Sequence, residues 1–348
     1  MEGKLLGLLW TISLVMAAGS LLMMTGLITG RALDARRSVR RARIAQAIEA
    51  ALLGAMDGTP SASLPGLVRH RRIAARSILE MSTLIRGADF DAALKAMKDA
   101  GAEAGLIRLT GSRNGEDRLA GIEALGLLAT PGAKKALRDM IMHGRTPRET
   151  IAAARALQLL GEDPPLDQVL AALEAAAGLA PMELAAVLAP IARDNPQVLS
   201  GYLARTSLPP AIRALMIIAL GEAGSYAMAP LIAVYADDPE PRIRSAVLHA
   251  LGSLGHPDAR PFIEAGLDDP DADIRAEAAR AAGRIALGAL TPKLVAALAD
   301  QEWVVRFAAA DALHNIGPEA RDALQAAANE QSPAGRAAAM IIAERSAA

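Results

Sequence analysis

"DDPDADIRAEAARAAG", residues 268–283, sets two acids and a proline ahead of a run dominated by alanine. The stretch decides the fold because it recurs. Stepping back from Arg275 by 31 residues reaches Arg244 and then Arg213, and one step forward reaches Arg306. Eight residues beyond the arginine stand Gly221, Gly252 and Gly283, with His314 breaking the series. Six beyond it stand Ala219, Ala250, Ala281 and Ala312; six before it stand Asp238, Asp269 and Asp300. Pro230, Pro261 and Pro292 keep the same step in the other half of the unit. A fixed period of this length marks a solenoid, in which each unit buries its apolar face against the next.

Within a unit the pattern is helical. Ile274, Ala278, Ala281, Ala282 and Ile285 fall at i, i+4, i+7, i+8 and i+11, one stripe of an α-helix. The alanines are therefore the packing face, small enough to let neighbouring axes approach. The "DDP" is the boundary: acids at a helix start, where the backbone carries partial positive charge, with proline allowed in the first turn. Fainter copies lie upstream in "EDRLAGIEALGLL", where Arg118 and Gly126 keep the arginine-to-glycine interval, in "TIAAARALQLLG", and in "ELAAVLAPIARD". About seven units run from near residue 105, and "SPAGRAAAMIIAERSAA" closes the array as a truncated cap.

These units, reading "DDP…IR..A..ALG.LG…P.L", resemble bacterial HEAT repeats, in particular the short form also found in phycobilin lyase subunits. The resemblance covers Glu116–Ala348 and is most specific from Arg213 to Gly317. It implies an all-α fold, an α-solenoid of helical hairpins, whose arginine-bearing helix lines the concave face. It also implies that the repeated Arg and Asp form an inter-repeat ladder. Bacterial proteins of this look accompany membrane machinery such as polysaccharide-synthesising glycosyltransferases, which makes a protein partner the expectation.

The beginning of the chain is of another kind. Leu5–Gly30 carries no charge in 26 positions, enough to cross a hydrocarbon core of about 30 Å. Trp10 would sit toward one interface, and residues 5–27 in the bilayer. Gly26 and Gly30 have the GxxxG spacing of helix contacts in membranes, on one face with Gly19. Immediately behind, "RALDARRSVRRAR" holds six arginines and one aspartate: Arg31, Arg36, Arg37, Arg40, Arg41 and Arg43 with Asp34. The positive-inside bias then keeps the C-terminal side in the cytoplasm, as a single-pass protein of the inner membrane. The continuation of the apolar run past "VMA" at Val15–Ala17 speaks for a retained anchor over a cleaved signal peptide. The domain reading is an anchor at 1–30, basic juxtamembrane helices and a cap at 31–104, and the solenoid at 105–348.

Composition narrows the function. The chain is 52% hydrophobic but only 2% aromatic, with no cysteine, which removes disulfides, thiolate metal sites and thiol nucleophiles. Residues 31–86 hold 11 basic and 4 acidic residues, whereas residues 87–348 hold 25 and 33. An acidic body is not the balance of a nucleic-acid binder. His70, His143, His249, His256 and His314 show no HExxH spacing and no adjacent His-Glu pair, against the di-iron hydroxylases that use similar repeats. Neither catalytic residues, a metal nor a cofactor are expected. What the pattern offers is a surface. Five residues after each arginine come Ile218, His249, Arg280 and Asp311; nine after it come Glu222, Ser253, Arg284 and Asn315. Core positions barely change between units while these change at every step, as a partner-binding face would. A lyase-type enzyme subunit and a periplasmic binding module are the alternatives.

Overall fold

The computed structural model describes residues 2–59, 61–175, 181–204 and 208–346; the side chains of Pro257 and of several residues before 38 lie outside the description. It is all-helical, with no strand among the described residues. Two compact units, Met1–Leu137 and Arg138–Ala348, meet within one helix.

The first unit contains α1 (Glu2–Met56), α2 (Leu64–Leu67), α3 (Arg71–Leu84), α4 (Ala88–Asp99), α5 (Ala102–Thr110), α6 (Gly115–Leu128) and the start of α7 (Pro131–His143). The uncharged run and the arginine-rich stretch form one continuous helix, α1, because nothing between them breaks it. Its far end turns amphipathic: Ile48, Ala51 and Leu52 are buried where α1 packs on α3 and α4. At the end of "DGTPSASLPG", residues 57–66, the single turn α2 begins, with Pro65 in its first turn where the missing N–H costs nothing. The expected boundary after residue 104 falls inside α5.

The second unit continues with α8 (Pro147–Leu159), α9 (Leu166–Glu174), α10 (Pro181–Asp194), α11 (Pro196–Leu203), α12 (Pro210–Glu222), α13 (Ala229–Ala233), α14 (Pro241–Leu254), α15 (Arg260–Gly266), α16 (Ala272–Ile285), α17 (Thr291–Ala297), α18 (Trp303–Ile316), α19 (Pro318–Ala328) and α20 (Pro333–Ser346). The helices α8, α10, α12, α14, α16, α18 and α20 pack each on the next, while the shorter α11, α13, α15 and α17 each back the long helix that follows. This is the stacked hairpin array the period called for. The apolar stripe is buried as expected: Ile274 is 2% exposed and Ala278, Ala281 and Ala282 are at 0%, with Ile285 half-buried.

The boundary signal works differently from the sequence reading. The cap of α16 is Asp271, whose side chain accepts from the Asp273 N–H at 2.8 Å. Asp269 stands outside the helix and accepts the Asp271 N–H at 2.9 Å, so Pro270 precedes the first turn. Lying outside the helix, the Asp269 carboxylate also faces a neighbouring unit with both of its oxygens.

Among the described residues no helix is long and apolar enough to cross a membrane. Many side chains of Leu5–Gly30 lie outside the described residues. Those described are exposed, among them Leu14, Met16, Leu21, Leu22, Met23, Met24 and Leu27.

Candidate interaction surface

The repeated arginine organises the long-helix layer. The Arg244 guanidinium donates through Nε and Nη2 to the Asp269 carboxylate at 2.9 and 3.1 Å, reaching the next unit. Its Nη1 donates to the Asp238 and Pro239 carbonyls at 2.9 and 3.2 Å, clamping its own turn. Arg275 repeats the arrangement on Asp300 and on the carbonyls of Asp269 and Pro270. Arg213 reaches Asp238 at 3.0 Å, and Arg306 keeps the two carbonyl bonds, to Asp300 and Gln301. Arg118, in the first unit, binds the Ser112 and Arg113 carbonyls in the same way. The ladder implied by the resemblance is present. Its hydrogen bond from Arg275 holds the Asp300 carboxyl below the usual range. For Asp269 burial is the largest effect and pushes up, but the bonds from Arg244 and the Asp271 N–H, with the charges of Arg244 and Arg275, together hold the carboxyl below its usual value.

The glycine of each unit has an equally specific neighbour. A Cβ on Gly283 would lie 2.9 Å from the Cα of Ala312, and one on Gly252 would lie 2.9 Å from the Cβ of Ala281. Glycine at this position and alanine in the next unit let adjacent axes close to a distance no larger pair permits.

The variable positions lie one after another on α12, α14, α16 and α18. Six of the eight are joined by polar contacts. Four of them, Glu222, His249, Arg280 and Arg284, gather around a residue the sequence reading passed over, Glu277. It is 8% exposed and occupies the position filled by Leu215, Ala246 and Ala308 in the other units. His249 Nδ1 lies 3.1 Å from Glu277 Oε1, Arg280 Nη1 donates to Oε2 at 2.9 Å, and Arg284 Nη2 donates to Oε1 at 2.6 Å. Glu222 approaches the other imidazole nitrogen at 3.6 Å. Burial alone would raise the Glu277 pKa; the bonds from His249 and Arg284 instead bring it to about 2. The Glu277 contact in turn raises the His249 pKa against the opposing effect of burial. The signal available in the sequence was an acid in an otherwise apolar column.

Asp311 binds Arg345 at 2.7 Å and accepts from Asn315 at 3.2 Å. Ser253 is exposed and Ile218 half-buried. Of the residues expected to meet a membrane, Trp10, Arg31, Arg36, Arg40, Arg41 and Arg43 are exposed on α1, and the Arg37 side chain lies outside the described residues. The described residues contain no cluster of His, Asp or Glu that could hold a metal.

The family described as HEAT repeats matches residues 196–283 and 261–343. No curated protein matches the chain. Among solved structures, an engineered protein is 18% identical, covering 85% of this chain and 98% of its own, with a TM-score of 0.39. Human deoxyhypusine hydroxylase in complex with glycerol is 17% identical, covering 88% of this chain and 96% of its own, with a TM-score of 0.30. Scores this low bear on no chemistry. The stacked hairpins from α11 into α20 are the part of the chain that resembles HEAT repeats.

Proposed function

We propose that this protein is a non-catalytic scaffold, tethered by α1 to the inner membrane of a bacterial cell, whose repeats hold a protein partner on the cytoplasmic side. The partner is itself membrane machinery, a glycosyltransferase being one candidate class. The observation that carries the reading is the contrast within the repeats. The arginine, aspartate, glycine and alanine that fasten unit to unit recur, while side chains beside them on the same helices change from Ile218 to His249, Arg280 and Asp311. The tether is supported by the uncharged stretch Leu5–Gly30, whose described large side chains pack on nothing, and by the six arginines behind it.

The test is capture from detergent-solubilised membranes. Ser253→Arg combined with Asn315→Arg adds bulk and charge to exposed positions of the face without touching the Glu277 group. Quantitative mass spectrometry should show the captured partner reduced, with Asp258→Arg, at a 90% exposed side chain elsewhere in the unit, as the matched control. Equal recovery from both variants would refute the face. A reporter fused behind Ala348 should be active in the cytoplasm; periplasmic phosphatase activity would refute the orientation.

A further inference from the structure

The first unit contains a cavity of about 630 Å³ walled by arginine. Arg40 and Arg41 enter it from α1; Arg69, Arg71, Arg72 and Arg76 enter from the start of α3 and the turn before it. Asp117 is the only acid in the wall, and Arg72 is paired with it at 2.7 Å. The other five guanidiniums have no ion pair among the described residues.

Such a group is unfavourable as it stands. Like charges around one concavity repel, and Arg71 and Arg72 open α3, where the positive end of the helix dipole favours acids. All six arginines are exposed, so solvent screens the repulsion in part, but it does not spread the cations apart. Here two elements far apart in sequence bring them together. Guanidinium donors in a fixed fork match the oxygens of a phosphate, and several forks match a group with several negative charges. We infer that this cavity binds a small ligand carrying a multiply charged phosphate group.

The cavity size is that of a ligand pocket, large enough for a phosphorylated small molecule or for the headgroup of an anionic phospholipid. Both present the same chemistry. Geometry separates them: Arg40 is ten residues beyond Gly30 on one helix, about 15 Å along the axis. A headgroup layer extends only about 5–8 Å past the hydrocarbon. With the uncharged run in the bilayer, a water-borne phosphate compound reaches the cavity more readily than a lipid does.

The experiment uses the full chain in nonionic detergent, titrated calorimetrically with inorganic pyrophosphate and compared with sodium chloride at equal ionic strength. Pyrophosphate should bind saturably and raise the melting temperature, because a ligand of the folded state stabilises it. Arg71→Gln with Arg76→Gln should weaken binding at least about tenfold, the loss expected for removing charged hydrogen bonds. Arg242→Gln with Arg336→Gln, the same charge removed from exposed positions of the second unit, should leave binding unchanged. The melting temperature of the pocket variant without ligand reports folding, and Arg41→Gln on the other wall gives a second reading. Dihexanoyl phosphatidic acid below its micelle concentration identifies the source: tight competition marks a lipid headgroup, and failure to compete marks a water-borne ligand. Pyrophosphate binding that is no tighter than a salt effect, or that survives Arg71→Gln with Arg76→Gln and Arg41→Gln in folded protein, overturns the inference.

Discussion

A Cβ added to Gly221 would lie 2.4 Å from the Cα of Ala250, closer than any real side chain approaches a backbone. Gly221 on α12 and Ala250 on α14 therefore set the distance between the two axes. Gly221→Ala should cost roughly 2–3 kcal/mol through overpacking. Gly201, inside α11, has nothing within 4 Å of its missing Cβ, so Gly201→Ala should instead stabilise by up to about 1 kcal/mol. Thermal melts with shifts of the same sign would disprove the distinction.

Neighbouring acids in the boundary signal should behave differently. Asp269 is largely enclosed and takes a two-pronged bond from Arg244, so Asp269→Asn should cost about 2 kcal/mol and leave a cation without its partner. Asp268 has a side chain 70% exposed, paired at 2.7 Å with Lys293, and Asp268→Asn should stay within about 0.5–1 kcal/mol. Urea titrations measure both, and equal losses would remove the ladder's distinction from surface pairing.

Acidity should act through Glu277 and its neighbours. Its folded pKa of about 2 lies below the ordinary 4.5, so its contribution is present above pH 4.5 and is lost as pH falls toward 2. His249 is shifted upward from 6.5, so its contribution is complete below that pH and is lost as pH rises through the folded value. Glu277→Gln should flatten the alkaline limb, since Glu277 is the main cause of the His249 shift, and reduce the acid limb. Asp269 and Asp300 retain part of the latter, both being held below their ordinary value. A variant whose stability follows the parent curve across pH 3–8 would contradict the arrangement.

One turn is occupied by the wrong residue for its shape. Gly224 and Gly255 follow their long helices at φ 77° and 67°, and the residue one unit later is Ala286 at φ 56°. Left-handed backbone strains an L side chain, so Ala286→Gly should gain about 0.5–1 kcal/mol, while Gly255→Ala should lose a similar amount. Opposite shifts in melting temperature are the expected reading.

The ladder and the alanine face were legible because they repeat: Arg275 and Asp300 recur with their period, and Ala281 with its helical phase. Glu277 was not, since a repeat is found by what stays constant and Glu277 is a departure from its column. The pairing of Arg280 and Arg284 depends on that departure, so as a surface they looked free. The arginine cavity was hidden for a different reason. Arg40 and Arg76 are separated by a turn region, and the charge count of residues 31–86 shows that cations are abundant but not that α1 and α3 bring them to one place.

Each pair of neighbouring long helices from α12 to α18 is fastened twice, by arginine at the first turn and by the close glycine–alanine approach eight residues on, about 12 Å along the axis. Two fastenings fix an angle as well as a distance, so these four helices must tilt together as one stiff lever. One period before Arg213 and Gly221 stand Met182 and Pro190, so the pairing of α10 with α12 has neither fastening. Bending of the array under load would concentrate at that joint, and amide exchange should open α10 well before α14 or α16. A partner gripping the lever could then change the direction in which the joint points without altering a single contact inside it.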